Sequence, residues 1–294
     1  LHVPVVSEYK LSVSYEEASE IVKKALAPLG EEYLSHIREA MENRWIDVYE
    51  NKGKRTGAYS WGTYRSHPYV LLNYNGTAHD VFTIAHELGH SMHSYYSDKN
   101  QPSSKAQYEI FVAEVASTVN EVLLLKYMLE HSRDEQEREY LLTYYLDMFR
   151  TTLFRQTQFA EFEEKAHALA EKDMPVTCDA LNEEYLKINK LYYGKNVVSD
   201  KQIAWEWARI PHFYRSFYVY KYATGLTSAV SIARGILSGG EKEKEGYMKF
   251  LSAGGSMPPV EILKLAGVDL TTEVPFENAM REMADTLGLL KREK

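Results

Sequence analysis

Two histidines four residues apart, with a glutamate directly after the first, carry the most specific chemistry in this 294-residue chain. His86-Glu87-Leu88-Gly89-His90 lies inside an apolar run of helical period from Val81 to Met92. Four residues are about 400° of helix, so both imidazoles leave one face and can reach one tetrahedral zinc ion at about 2.0–2.1 Å. Glu87, one residue further round, can stand beside a water activated by the ion and take its proton. HExxH arises by chance, but His79, His86, His90 and His93 are four of only ten histidines. Their spacings of seven, four and three predict a single helix face, an awkward core without a metal.

Zinc hydrolases keep three protein ligands and one open position, so a third ligand has to come from elsewhere. Position 96 is Tyr96 and position 93 is His93, which excludes the HExxHxxGxxH class, and HxxEH is absent. The strongly apolar segment from Tyr108 to Leu125 carries Glu114 and Glu121, seven residues apart and therefore on one helix face. A carboxylate in such surroundings needs a partner, because an isolated buried charge costs several kcal/mol or takes up a proton. Glu114 is the expected third ligand, and Glu121 the carboxylate that fixes a ligand histidine's tautomer. An ordinary ion pair with Lys or Arg is the alternative for each.

The surrounding elements read as mainly α with one small sheet. Ser14 and Glu17 form a capping box that opens a helix to about Leu29, and a second helix is expected from Glu31 to about Trp45. Aromatic and β-branched runs at 58–64 and 68–74, separated by a polar turn, predict a hairpin or two nearby strands. Beyond Thr77 helices are expected over roughly 78–97, 105–131, 133–172, 179–192, 199–209, 211–237, 241–253, 258–266 and 275–291. No repeat and no Gly/Ser-rich linker divides the chain, so residues 1–294 read as one unit. A net charge of −8 provides no basic excess for a phosphate backbone, which disfavours a nucleic-acid partner. No 18-residue apolar run or basic-then-apolar leader is present, so membrane anchoring and secretion are unsupported. The lone Cys178 suits a reducing cytoplasm. Oligomeric state and cleavage preference are not encoded in any motif.

Taken together, these segments resemble the catalytic part of oligoendopeptidase F, within the thimet-type oligopeptidase family of zinc peptidases. Thr83 to His93 is similar to that family's HExGH helix with a further His, and Phe111-Val112-Ala113-Glu114-Val115-Ala116-Ser117 to its second-helix ligand motif. The resemblance implies a zincin-like catalytic domain of the gluzincin type, its small sheet next to the active-site helix. It implies one Zn²⁺ per chain on His86, His90 and Glu114, with Glu121 and His93 supporting the ligands from outside. Short oligopeptides are the implied substrates, cut at internal bonds. Gly57-Ala58-Tyr59 resembles the family's edge strand, which pairs with substrate backbone; an ordinary hairpin strand is the alternative. Pro211 to Gly225 resembles its His- and Tyr-rich segment, which implies His212, Tyr214 and Tyr220 as donors to the developing oxyanion. Tyr214, Tyr218 and Tyr222, spaced by four, could instead be a packing stripe. Family members extend further on the N-terminal side, so the chain is expected to lack that region. A truncated zinc- or peptide-binding piece without turnover is the rival reading, and a metal-free helical domain a third.

Overall fold

The computed structural model describes residues 11–292, which form two compact units. One runs up to Leu146 and resumes at Gly225; the other is Asp147–Thr224.

In the first unit the Ser14 hydroxyl accepts from the Glu17 amide and the Glu17 carboxylate accepts from the Ser14 amide, closing the capping box of α1 (Tyr15–Ala25). The second helix, α2 (Glu31–Glu42), stops short of the expected Trp45 because Arg44 turns left-handed, with φ 62°. Trp45 is thereby buried, and the chain enters β1 (Ile46–Asp47), a strand too short for an alternating pattern to reveal. The expected hairpin forms from β2 (Tyr59–Trp61) and β3 (Tyr69–Leu71), antiparallel with Ser60 opposite Val70. β1 joins β3 in parallel, Ile46 opposite Val70, and the order β1-β3-β2 leaves β2 at an edge.

Two helices make the heart of this unit. Thr77 and Asp80 form a second capping box, which starts α3 (Ala78–Asn100). After the short α4 (Ser103–Ala106), α5 (Ile110–Glu130) is apolar almost all round and correspondingly buried. The break between α4 and α5 divides the single helix expected over 105–131. Val81, Ile84, Ala85, Leu88 and Met92 of α3 and Val112, Val115, Ala116 and Val119 of α5 are fully or nearly fully buried. An added Cβ at Gly89 would stand 2.6 Å from the Ala116 carbonyl oxygen and 2.6 Å from Ser117 Cα, so only glycine permits this approach of α3 to α5. α6 (Glu135–Met148) follows α5, and part of its expected continuation to 172 is a π-helical turn, Phe149–Phe154. Past the second unit, α10 (Glu241–Leu251), α11 (Pro259–Leu265) and α12 (Val274–Arg292) complete the first, close to expectation.

The second unit contains α7 (Arg155–Glu171), α8 (Cys178–Tyr193) and two 3₁₀ segments, Gln202–Arg209 and Pro211–Tyr214. Phe159, Phe162, Tyr185, Ile188, Ile210 and Val219 form its core. The buried Glu206 accepts from Arg155 Nη2 at 2.6 Å, Arg209 Nη2 at 2.5 Å and the Tyr185 hydroxyl at 2.6 Å, a fully partnered carboxylate. The helix expected over 211–237 is broken. Phe217 adopts φ 56° and its amide donates to Glu163 Oε1 at 2.7 Å, so regular helix resumes only at α9 (Tyr220–Gly239). No helix among the described residues is long and apolar enough to cross a membrane.

Candidate metal centre

The i, i+4 geometry of α3 brings His86 Nε2 and His90 Nε2 to 3.2 Å from each other. Glu114 Oε2, from α5, lies 3.5 Å from the first and 3.6 Å from the second. Ligand atoms each about 2.0–2.1 Å from a tetrahedral zinc stand about 3.3–3.4 Å apart, so the observed triangle fits such an ion. These three residues are the His, Cys, Asp or Glu group of at least three that could hold a metal among the described residues.

Electrostatics support the same assignment. Glu121 Oε1 lies 3.3 Å from His86 Nδ1, which fixes that nitrogen as the N–H donor and turns the Nε2 lone pair toward Glu114. Two lone-pair-bearing atoms then converge, and a cation between them relieves the repulsion. Without a metal a proton takes that place. Burial opposes charge on His86, but the hydrogen bond and charge of Glu121, with Glu114 and Glu87, outweigh it and raise its pKa to about 9. Burial likewise works to raise Glu114, yet His90, His86 and the Ser117 hydroxyl hold it down at about 2, an acceptor across the working pH range. Glu87 is 6% exposed and Oε2 has no hydrogen-bond partner among the described residues. Burial pushes its pKa up against the pull of the two histidines.

Structural residues that no motif flags hold the helices in register. Asn120, fully buried on α5, donates to the Ala85 carbonyl at 3.1 Å and accepts from the Tyr33 hydroxyl at 3.0 Å, which ties α2, α3 and α5 together. Ser91 donates to the Glu87 carbonyl and meets Ser60 Oγ at 2.8 Å, which fastens β2 to α3. An Asn within an otherwise apolar helix was the available sequence signal for the first of these; the serines gave none.

The four histidines share one phase of α3 but not one environment. His79 is exposed, whereas the His93 ring is fully buried, stacked on Tyr108 at 3.6 Å, with no hydrogen bond at either nitrogen among the described residues. Burial drives His93 toward neutrality, with a pKa near 3. His93 therefore packs behind the ligands without a hydrogen bond to either. Gly57 and Ala58 lead into β2, whose Tyr59 and Trp61 side chains are exposed. The Gly57 carbonyl accepts from Asn73 Nδ2 at 2.8 Å and its φ of 87° requires glycine.

His212, Tyr214 and Tyr220 fall in the second unit, with Tyr220 opening α9. There the His212 ring stacks on Tyr218 at 5.6 Å and its Nε2 lies 3.4 Å from the Tyr222 hydroxyl. Tyr214 is 88% exposed, and Lys221 sits over the Tyr220 ring. With the helix broken at Phe217, Tyr214, Tyr218 and Tyr222 form no i, i+4 stripe. Tyr218 and Tyr222 pack edge to face around His212.

A mainly helical fold with a small sheet and an HExxH-plus-glutamate triangle that could hold a metal ion defines the class of architecture. Residues 5–282 match the model of peptidase family M3, and the chain belongs to that family. It is 49% identical over 287 residues to oligopeptidase PepF of Bacillus subtilis, covering 98% of this chain and 43% of that protein. Against the chromosomal oligoendopeptidase F of Lactococcus lactis subsp. cremoris it is 42% identical over 285 residues, covering 97% and 47% respectively. The crystal structure of oligoendopeptidase-F from Enterococcus faecium superposes with a TM-score of 0.72 at 37% identity, over 96% of this chain and 44% of that one. A solved chain from Chlamydophila abortus gives 0.90 at 44% identity, over 98% and 49%. The chain thus spans about half the length of the curated relatives it matches.

Proposed function

We propose that residues 1–294 act as one catalytic domain of a cytoplasmic zinc metalloendopeptidase that hydrolyses internal bonds of short oligopeptides. The observation that carries this reading is the convergence of His86 Nε2, His90 Nε2 and Glu114 Oε2, with the buried carboxylate of Glu87 next in sequence to the first ligand. The names of the relatives, oligopeptidase and oligoendopeptidase F, support the substrate class.

His86, His90 and Glu114 would hold one Zn²⁺, and Glu121 would keep His86 in the liganding tautomer. When bound, the ion lowers the pKa of a coordinated water and polarises the scissile carbonyl. Glu87 Oε2 accepts the proton of the attacking water and delivers it to the leaving amine nitrogen; its raised pKa suits a group that must both take and release a proton. His212, Tyr214 and Tyr220 are the imidazole and phenol donors that steady charge on the carbonyl oxygen. The backbone of Gly57, Ala58 and Tyr59 pairs with the substrate as an added strand, which the edge position of β2 leaves room for.

The test is metal content of the purified protein together with cleavage of an internally quenched peptide, before and after chelation and zinc restoration. One zinc per chain with chelator-sensitive cleavage supports the reading. A metal-free protein whose stability ignores chelators overturns it, and one zinc without cleavage of any short peptide favours a binding role.

A further inference from the structure

Within the first unit, α3 continues the ridge of its ligand histidines. Stepping by four from His86 leads to His90, Ser94 and Asp98, so these side chains follow one another along one side of the helix. A cleft of about 550 Å³ opens along this ridge from His90 and Glu114 to Asp98. Its walls are fixed by hydrogen bonds: Ser94 Oγ to the Tyr108 hydroxyl at 3.0 Å on the α5 side, and Tyr64, donating to the Gln101 carbonyl at 3.0 Å, at the far end. Gly62, beyond β2, approaches so closely that an added Cβ would stand 2.6 Å from Ser94 Cβ.

No Lys or Arg lines this cleft, and its carboxylates are Glu114 and Asp98 alone. Glu114 is engaged by the two histidines. Asp98 is half-buried and makes no hydrogen bond or ion pair with any described residue. Burial by itself raises its pKa. A carboxylate partly removed from water and left without a counter-charge is unfavourable unless a ligand brings one.

We propose that Asp98 is a specificity-determining residue that takes a cationic group of the bound peptide, either a Lys or Arg side chain or a free α-amino terminus. This rests on the peptidase reading above. Asp98 lies eight residues beyond His90, about 12 Å along the helix axis at 1.5 Å per residue. An extended peptide advances about 3.3 Å per residue, so the cation sits three or four residues from the scissile bond.

The experiment is a Lys-for-Gln scan of internally quenched peptides over five positions on each side of the bond, each with a free and an acetylated N-terminus. The expected result is one position, three or four residues away, at which Lys raises kcat/KM about five- to tenfold over Gln, chiefly through KM. Asp98→Asn brings that ratio close to one, and Asp98→Lys inverts it in favour of Gln. An advantage that follows the free N-terminus in place of the Lys side chain, and is lost in Asp98→Asn, supports the proposal with the α-amino group as the source. A Lys:Gln ratio of one throughout, or an advantage unchanged by Asp98→Asn, overturns the proposal while leaving the peptidase reading intact. Absence of cleavage of every peptide by the unsubstituted protein overturns that reading, and this proposal with it.

Discussion

Gly89→Ala tests whether the packing of α3 on α5 builds the metal centre. The new methyl carbon would lie 2.6 Å from both the Ala116 oxygen and Ser117 Cα, against about 3.4 Å for ordinary contact, and both neighbours are backbone. The helices must therefore separate by about 0.8 Å, since no side chain can rotate away. Overpacking of this kind costs about 1–3 kcal/mol. Alanine's better helix propensity returns about 1 kcal/mol, which leaves a net loss of up to about 2 kcal/mol. The separation also moves Glu114, two residues before Ala116, away from His86 and His90, and zinc affinity should fall by about tenfold or more, as when supporting groups of a metal site are lost. Gly225→Ala is the control. Its Cβ would meet Glu114 Cβ at 3.5 Å, an ordinary contact on the same ligand residue, so both stability and zinc affinity should be kept. Urea denaturation of the metal-free proteins and competition with a chromophoric chelator measure the two quantities. Equal midpoints and equal zinc affinities for Gly89→Ala and the unsubstituted protein would refute the link between helix approach and ligand geometry.

Glu87→Gln should retain zinc yet lose cleavage by about 10²–10⁴-fold, and an active variant would remove Glu87 from its role. Glu121→Ala frees the His86 tautomer and should weaken zinc about 10–100-fold; unchanged affinity in chelator competition would refute its orienting role. The folded pKa of His86 is raised from 6.5 to about 9, so its charged form contributes stability to the metal-free protein that is fully present below pH 6.5 and lost as pH rises through 9. Zinc competes for the same nitrogen, so its affinity should climb across that interval, and an affinity flat between pH 6.5 and 9 would contradict the assignment. Asn120→Ala strands the Tyr33 hydroxyl in the core and removes the side-chain bond to the Ala85 carbonyl, and should cost about 1–3 kcal/mol in urea denaturation.

The convergence of His86, His90 and Glu114 was legible in the sequence because helix periodicity converts spacing directly into direction. His86 and His90 could point only one way, and Glu114 stood out as a charge in an apolar helix. The hairpin was legible for a similar reason, since two aromatic, β-branched runs flank a turn. What escaped was set by single residues and by tertiary contact. Left-handed turns at Arg44 and Phe217 end or interrupt helices whose apolar pattern continues. β1 has two residues and exists only because β3 is there to pair with it. His93 shares the helical phase of the ligands but meets the ring of Tyr108, so phase alone misjudged its surroundings. Asp98 carried no signal at all, because its character comes from the partners it lacks.

The shortness of β2 has a consequence for turnover. A ladder of three residues can give a pairing chain only a few main-chain hydrogen bonds, each worth about 0.5–1.5 kcal/mol net. Straightening each residue of a flexible peptide costs about 1–2 kcal/mol of conformational entropy, so the two nearly cancel. Such an edge grips its guest loosely and with little regard for sequence. If a substrate pairs with β2 as proposed, cleavage would halve the paired length and tip the balance toward departure, so the fragments would leave by themselves.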